Sequence, residues 1–153
     1  MPGARLLTDL ERVVMESIPL EIDCSLVRVY EGNCSGRTGR LRRLVLLASR
    51  NRAIALGNHV FLPDRCQGDL GTVVHELTHC GQYQAWGPLK YFTRGFAAQA
   101  RYLIHRTVRI GRSPYWYRVT PGKPFRAYGM EQQAQMIEDR FRAHNQDQAV
   151  PSA

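Results

Sequence analysis

The sequence predicts an α+β domain that is mainly helical and carries a small β-sheet or hairpin just before its central helix. Apolar residues recur at helical spacing over several long segments, which indicates amphipathic helices packed around a core. Two short apolar runs flank Gly57-Asn58, a dipeptide typical of hairpin turns. Hydrophobic residues make up 44% of the 153 residues, which suits a single globular domain over residues 1–153. We expect its core to span about residues 20–142.

Local patterns place the individual elements. Helical periodicity predicts helices over residues 4–18, 41–49, 69–84, 88–110 and 130–143. Pro19 ends the first of these helices, Asp69 is the expected N-cap of the third, and Pro88 opens the fourth. Alternation predicts a strand over 25–30, and the hairpin is expected within 52–62. Loops are expected at 33–39, 63–68 and 111–129, and the tail 145–153 is expected to be disordered.

The most specific pattern is His75-Glu76-Leu77-Thr78-His79, an H-E-x-x-H motif within the predicted helix 69–84. Two histidines at i and i+4 project from one face of a helix, so their nitrogens can converge on one metal ion. Glu76 lies beside them, where a carboxylate can serve as a general base without binding the metal. The motif predicts metal-assisted hydrolysis, most often of a peptide bond. The alternative is a helix whose two histidines only form hydrogen bonds.

A catalytic zinc ion usually has three protein ligands and one open position, so a third ligand is expected elsewhere in the chain. Glu131 is the first candidate because it lies near the start of the predicted helix 130–143. The small residue Ala134, one turn later, would let this helix approach the motif helix closely. Glu138 lies two turns from Glu131 on a similar face and is the rival, and His105 is a weaker candidate.

The H-E-x-x-H motif followed by Glu131 and Ala134 in an E-x-x-A pattern resembles the gluzincin metallopeptidases. Over about residues 20–142 the chain is similar to a compact bacterial group of gluzincin-like domains of unknown function, associated with contractile injection systems and toxins. The resemblance implies a zincin-like fold, Zn²⁺ as the cofactor, His75, His79 and Glu131 as its ligands, and Glu76 as the general base.

The chain departs from the gluzincin pattern at one position. Many gluzincins carry an aspartate four residues after the ligand glutamate, and this aspartate orients a ligand histidine. Here that position is Gln135, which can accept a hydrogen bond but carries no charge. Glu138 and Asp139 are the candidates to take over its role.

We therefore expect zinc-dependent hydrolysis of a peptide or protein substrate, with a metal-bound water activated by Glu76. The alternative is a non-catalytic zincin-like module for binding or delivery in a bacterial secretion or toxin system. The strand His59–Leu62 is expected to lie at an exposed sheet edge and to hold an extended substrate. The oxyanion stabiliser is not identified, and Tyr115, Tyr117, Tyr128 and His105 are its possible donors.

The net charge of +8 bears on partners. Arginines concentrate in residues 37–52 and 94–112, which would suit an acidic protein partner. Nucleic-acid binding is disfavoured because no recognisable nucleic-acid-binding motif accompanies the charge. No apolar run of membrane-spanning length occurs, so no membrane span is expected.

The N-terminal residues and the cysteines bear on localisation. The first residues lack the continuous apolar run of a signal peptide, so we expect a cytoplasmic protein or one exported by a route without a signal peptide. Cys24, Cys34, Cys66 and Cys80 include no C-x-x-C pair. Either Cys24 pairs with Cys34 and Cys66 with Cys80, or all four are thiols in a reducing compartment.

Overall fold

The computed structural model describes residues 3–16, 18–32, 34–108 and 113–148. Within these ranges the chain is mainly helical with a small three-stranded sheet, which confirms the α+β class. The elements are α1 (Asp9–Glu16), β1 (Arg28–Tyr30), α2 (Gly36–Ala48), β2 (Ile54–Leu56), β3 (His59–Phe61), α3 (Leu70–Trp86), α4 (Pro88–Val108) and α5 (Met130–Gln148). No helix in the described ranges is long and apolar enough to cross a membrane.

The sheet has the strand order β1-β3-β2. β2 and β3 form the predicted antiparallel hairpin, and Gly57 takes the positive φ of 65° that its turn requires. On its other side β3 pairs in parallel with β1, so Val60 lies opposite Val29. The prediction that His59–Leu62 forms an exposed edge is therefore wrong, because β3 is the central strand. Within the hairpin, β2 is the strand that lies at the edge of the sheet.

The sheet separates two helical layers. On one face Val29 and Val60 pack with Leu77 of α3 in the main core. On the other face Phe61 packs with Leu46 of α2. Helix α5 lies against α3, and α4 contacts both of these helices. The motif helix α3 is thus enclosed, whereas α2 forms an outer layer on the far side of the sheet.

Helix α1 begins at Asp9, later than the predicted residue 4. The preceding residues are extended because the backbone N–H of Arg5 donates to the carbonyl of Val29, at 2.9 Å. A capping box then starts the helix: the N–H of Thr8 donates to the Glu11 carboxylate (2.8 Å) and the N–H of Glu11 donates to Oγ1 of Thr8 (3.2 Å). Met15 of this helix is buried, so the core extends to residues before position 20.

Helices α2 and α5 are longer than the sequence pattern predicts. Part of 33–39, expected to be a loop, forms the first turn of α2, where a β-carbon at Gly39 would lie 2.7 Å from the carbonyl oxygen of Cys34. Residues 145–148, expected to be disordered, continue α5, while 149–153 lie outside the described residues, as do 109–112. All four cysteines are free thiols.

Candidate metal centre and catalytic cleft

Helix α3 holds the H-E-x-x-H motif in a buried, well-capped segment. Asp69 is its N-cap, as expected, and accepts hydrogen bonds from the backbone N–H groups of Gly71 (3.1 Å) and Thr72 (3.3 Å). The two histidines of the motif face α5, where Ala134 is fully buried. This small residue allows the close approach of the two helices that the sequence predicts.

The three predicted metal ligands converge on one point. Oε2 of Glu131 lies 3.4 Å from Nε2 of His79 and 3.7 Å from Nε2 of His75. One ligand atom from each residue lies within 4.8 Å of the others, and all three residues are buried. Donors about 2.1 Å from a tetrahedral zinc ion are about 3.4 Å apart. Two imidazole nitrogens and one carboxylate oxygen at this spacing could therefore hold a metal ion.

A network of amides fixes the ring of His79. The Nε2 group of Gln82 donates to the carbonyl of Met130 and to Oε1 of Gln133, both at 3.0 Å. The Oε1 atom of Gln82 is therefore an acceptor, and it receives the Nδ1–H of His79 at 2.8 Å. Gln133 is anchored in turn, because its Nε2 group donates to the carbonyl of Tyr128. This arrangement directs Nε2 of His79 towards Glu131, so that its lone pair becomes available to a metal ion when Nε2 loses its proton.

A chain of charged groups fixes the ring of His75. Its Nδ1–H donates to Oε2 of Glu138 at 3.0 Å. The other oxygen of Glu138 accepts a hydrogen bond from Arg142, whose guanidinium also pairs with Asp69 at 3.0 Å. Arg142 thereby links Glu138, the hydrogen-bond partner of a candidate ligand, to the N-cap residue of α3.

These contacts assign different roles to the residues that the sequence left open. Glu131 lies at the Nε2 side of both histidines, whereas Glu138 binds Nδ1 of His75 and is an orienting residue instead of the third donor. Gln135 donates to Asp139, which also accepts from the hydroxyl of Tyr117, and neither side chain is a partner of the two histidines. Glu138, and not Gln135, is therefore the residue that hydrogen-bonds a candidate ligand histidine.

The electrostatics of the cluster favour a bound cation. Burial would raise the pKa of Glu131, but the charges and hydrogen bonds of His79 and His75 lower it far below its usual value. Burial would lower the pKa of His75, but hydrogen bonds to Glu131 and Glu138 raise it instead. Positive charge is therefore stabilised here, and a divalent cation would replace protons on the two imidazoles.

Glu76 lies beside the three donors without joining them. It is buried, and this burial raises the pKa of its carboxyl, although the charges of His75 and His79 oppose the shift. The backbone amide of Ala55 in the edge strand β2 hydrogen-bonds its carboxylate. Because its pKa is raised, this carboxylate binds a proton more readily than an exposed one, as a general base beside a candidate metal site requires.

A cleft of about 340 Å³ opens on the candidate centre and contains His75, Glu76, His79 and Glu131 in its wall. Strand β2 forms one side and α4 the other. The edge of β2 is not free at its middle residue, because the carbonyl of Ala55 accepts a hydrogen bond from the buried Tyr91 hydroxyl at 2.8 Å. The remaining wall is uncharged and includes Ile54, Leu56, Phe92, Gly95, Phe96, Gln99, Tyr115 and Met130.

Among the four possible oxyanion donors, Tyr115 alone lines this cleft. Its ring centroid lies 6.2 Å from that of His75, and its hydroxyl forms no hydrogen bond to any described residue. The hydroxyl of Tyr117 is engaged by Asp139, and that of Tyr128 accepts from the N–H of Thr120. His105 lies on α4 away from the cleft wall. Tyr115 is thus the donor available to a bound ligand.

The chain matches no protein-family model, no curated protein and no solved structure. The likeness to gluzincins therefore rests on the residues themselves. These are the two histidines of α3, the glutamate of α5 that meets them, and the additional Glu76 in the same cleft.

Sequence reasoning missed several supporting residues. Gln82 had a detectable signal, because it lies three residues after His79 and so on the same side of the helix. Arg142 follows Glu138 by four residues, which is also a recognisable pair. Ala55 and Tyr91 reach the site through contacts between distant parts of the chain, and no local pattern reveals such contacts.

Proposed function

We propose that this protein is a zinc-dependent peptidase of the gluzincin type, in which His75, His79 and Glu131 hold the metal and Glu76 transfers the proton. One observation carries the proposal. Glu76 is a buried carboxylate in the wall of the same cleft as the three donors, and it is not one of them. A purely structural zinc site is closed by four protein ligands and needs no further carboxylate beside an open side.

The residues of the cleft divide the chemistry between them. Zinc, when bound, supplies Lewis acidity that polarises a carbonyl group and lowers the pKa of a water molecule. Glu76 accepts a proton from the attacking water as its oxygen bonds to the carbonyl carbon. The same carboxyl then gives this proton to the amine nitrogen as the C–N bond breaks. The hydroxyl of Tyr115 donates to the carbonyl oxygen as negative charge develops on it.

The wall of the cleft indicates the substrate class. Apart from Glu76 and the three candidate ligands, the residues that line it are uncharged, and Ile54, Phe92 and Phe96 give it an apolar character. A large apolar side chain next to the cleaved bond would bury its surface here. Because Ala55 is already bonded to Glu76 and Tyr91, recognition relies on the cleft more than on pairing along the β2 edge.

The test compares the protein with its Glu76→Gln variant, using zinc content and cleavage of a quenched fluorescent peptide library. Both proteins are expected to bind about one equivalent of zinc, while the variant loses activity by about 10²-fold or more. The exposed Glu16→Gln variant is the matched control and keeps full activity. Absence of zinc binding contradicts the metal site. If the original protein binds zinc but cleaves no peptide, the result contradicts catalysis and favours a binding or delivery module.

A further inference from the structure

Helix α2 exposes a basic and apolar surface on the side of the sheet away from the cleft. Its segment Gly36–Ala48 contains four arginines and no acidic residue. Arg42 has a structural role, because its guanidinium donates to the carbonyl of Leu62 and pairs with Asp64, both at 2.7 Å. The side chains of Arg37, Arg40 and Arg43 are exposed and form no ion pair or hydrogen bond with any described residue.

A row of leucines runs beside these arginines. Leu41, Leu44 and Leu47 are 46%, 64% and 76% exposed. Both rows repeat every three residues, so they lie next to each other on the outer face of the helix. We call this surface the Arg–Leu face and define it by Arg37, Arg40, Arg43, Leu41, Leu44 and Leu47. Clustered exposed leucines on a soluble surface are typical of a contact site.

A groove borders the Arg–Leu face. Its volume is about 890 Å³, and Arg40, Arg43, Leu47, Arg50 and Arg65 are among the residues that line it. Arg50 is exposed, and its side chain also lacks an ion pair or hydrogen bond with the described residues. The acidic residue in its wall, Asp64, is already paired with Arg42. The groove is therefore concave, positively charged and flanked by apolar side chains.

We propose that the Arg–Leu face and its groove bind an acidic segment of a partner protein that also carries exposed apolar residues. Carboxylates of the segment would pair with Arg40, Arg43 and Arg50, and its apolar side chains would cover Leu44 and Leu47. A flat anionic bilayer would contact the exposed Arg–Leu face but would leave the groove unfilled. A nucleic acid would neutralise the arginines with phosphates but leave the leucine row in water.

This surface is independent of the proposed peptidase activity. The sheet lies between α2 and α3, since Leu46 packs on one face of it and Leu77 on the other. A partner bound to the Arg–Leu face therefore leaves the cleft open. It would determine where the protein is held without changing the reaction.

The probe is a short fluorescein-labelled amphipathic peptide built from Glu, Leu and Ala, with fluorescence anisotropy measured at about 0.15 M salt. Binding is expected to be saturable, and the Arg40→Glu/Arg43→Glu variant is expected to weaken it by about tenfold or more. The matched control, Arg101→Glu/Arg106→Glu, makes the same charge change at exposed positions on α4 and should leave binding unchanged. Leu44→Ser should also weaken binding, which tests the apolar row at constant charge.

Several outcomes would overturn the proposal. If both charge-reversal variants weaken peptide binding equally, binding depends on the net charge of the protein and not on the Arg–Leu face. If a peptide with every Glu replaced by Gln binds as tightly as the original peptide, the arginines do not recognise carboxylates. Tighter binding to single-stranded oligonucleotide or to phosphatidylglycerol vesicles would assign the surface to those ligands, and absence of any binding would remove it. Thermal melting of each variant checks that it is folded.

Discussion

Glu138 accepts a hydrogen bond from Nδ1 of His75 at 3.0 Å. Glu131 precedes Glu138 by seven residues, or two turns, so one face of α5 presents a carboxylate to each side of the same imidazole. When α5 packs against α3, it therefore supplies Glu131 as the third candidate ligand, and its Glu138 also orients the ring of His75. Both functions depend on the same register between α3 and α5.

The two carboxylates are expected to differ in their effect on zinc affinity. Glu131→Ala removes a donor and should weaken zinc binding by orders of magnitude, whereas Glu138→Ala should weaken it by about 10- to 100-fold. Glu138→Gln should have a smaller effect, because its amide oxygen still accepts the imidazole N–H. Competition with a zinc-binding dye measures all three. An effect of Glu138→Ala as large as that of Glu131→Ala would make Glu138 a ligand and contradict the assigned register.

Tyr115→Phe should lower kcat by about 10²-fold while zinc affinity and KM stay unchanged, because the hydroxyl acts only on charge that develops during the reaction. Steady-state kinetics with a cleaved peptide provide the measurement. Tyr117→Phe is the matched control, since its hydroxyl donates to Asp139 outside the cleft. An unaltered kcat in the Tyr115 variant would remove Tyr115 from the mechanism.

Gly95 allows stability and substrate binding to be separated. It lies inside α4 and in the cleft wall, and a β-carbon there would meet no atom within 4 Å. Gly95→Ala should therefore stabilise the protein by about 1 kcal/mol through helix propensity, raising Tm by about 2–4 °C.

A larger side chain at the same position tests the cleft. Gly95→Leu should raise KM for peptides with a large apolar residue, because the new side chain takes up the space that the substrate needs. Ala100→Leu, at an exposed position of α4 outside the cleft wall, should leave KM unchanged. Equal KM values for both variants would place the substrate elsewhere.

Asp69 should make the stability pH-dependent in acid. Its hydrogen bonds to Arg142 and Thr72 outweigh the effect of burial and lower the pKa of its carboxyl from 3.8 to about 2. The folded state therefore binds this proton less tightly than the unfolded state does. The stabilisation is present above about pH 4 and is lost as the pH falls towards 2.

The comparison of Asp69→Asn with the original protein isolates this charge, since asparagine keeps the N-cap acceptor. In urea denaturation the difference in unfolding free energy should be largest above pH 4 and should shrink as the pH falls. Asp69→Ala should be less stable than Asp69→Asn at every pH, by about 1 kcal/mol for the lost cap. A difference between the original protein and the Asp69→Asn variant that does not change with pH would show that the charge contributes nothing.

The parts of the structure that the sequence predicts are those governed by local patterns. The hairpin turn at Gly57 and the cap at Asp69 follow from the local sequence, whereas the choice of Glu131 over Glu138 as the third donor also needed the resemblance to the gluzincin E-x-x-A pattern. The central position of β3 was not predictable in this way, because the pairing of Val29 with Val60 joins segments far apart in the chain. The same holds for the contact of Tyr91 with Ala55, which closes the edge strand.

The candidate metal site takes its donors from α3 and α5. In the sequence, the whole of α4 comes between these two helices. During synthesis the chain presents two imidazoles long before Glu131 emerges, and two donors hold a metal weakly. Contacts between distant segments also form late in folding because closing the intervening loop costs entropy. Hydrolytic competence would therefore come last, after the cleft wall on α4 has been made. Under the proposed function, a growing chain and its neighbours on the ribosome would thus be protected from cleavage until the fold is complete.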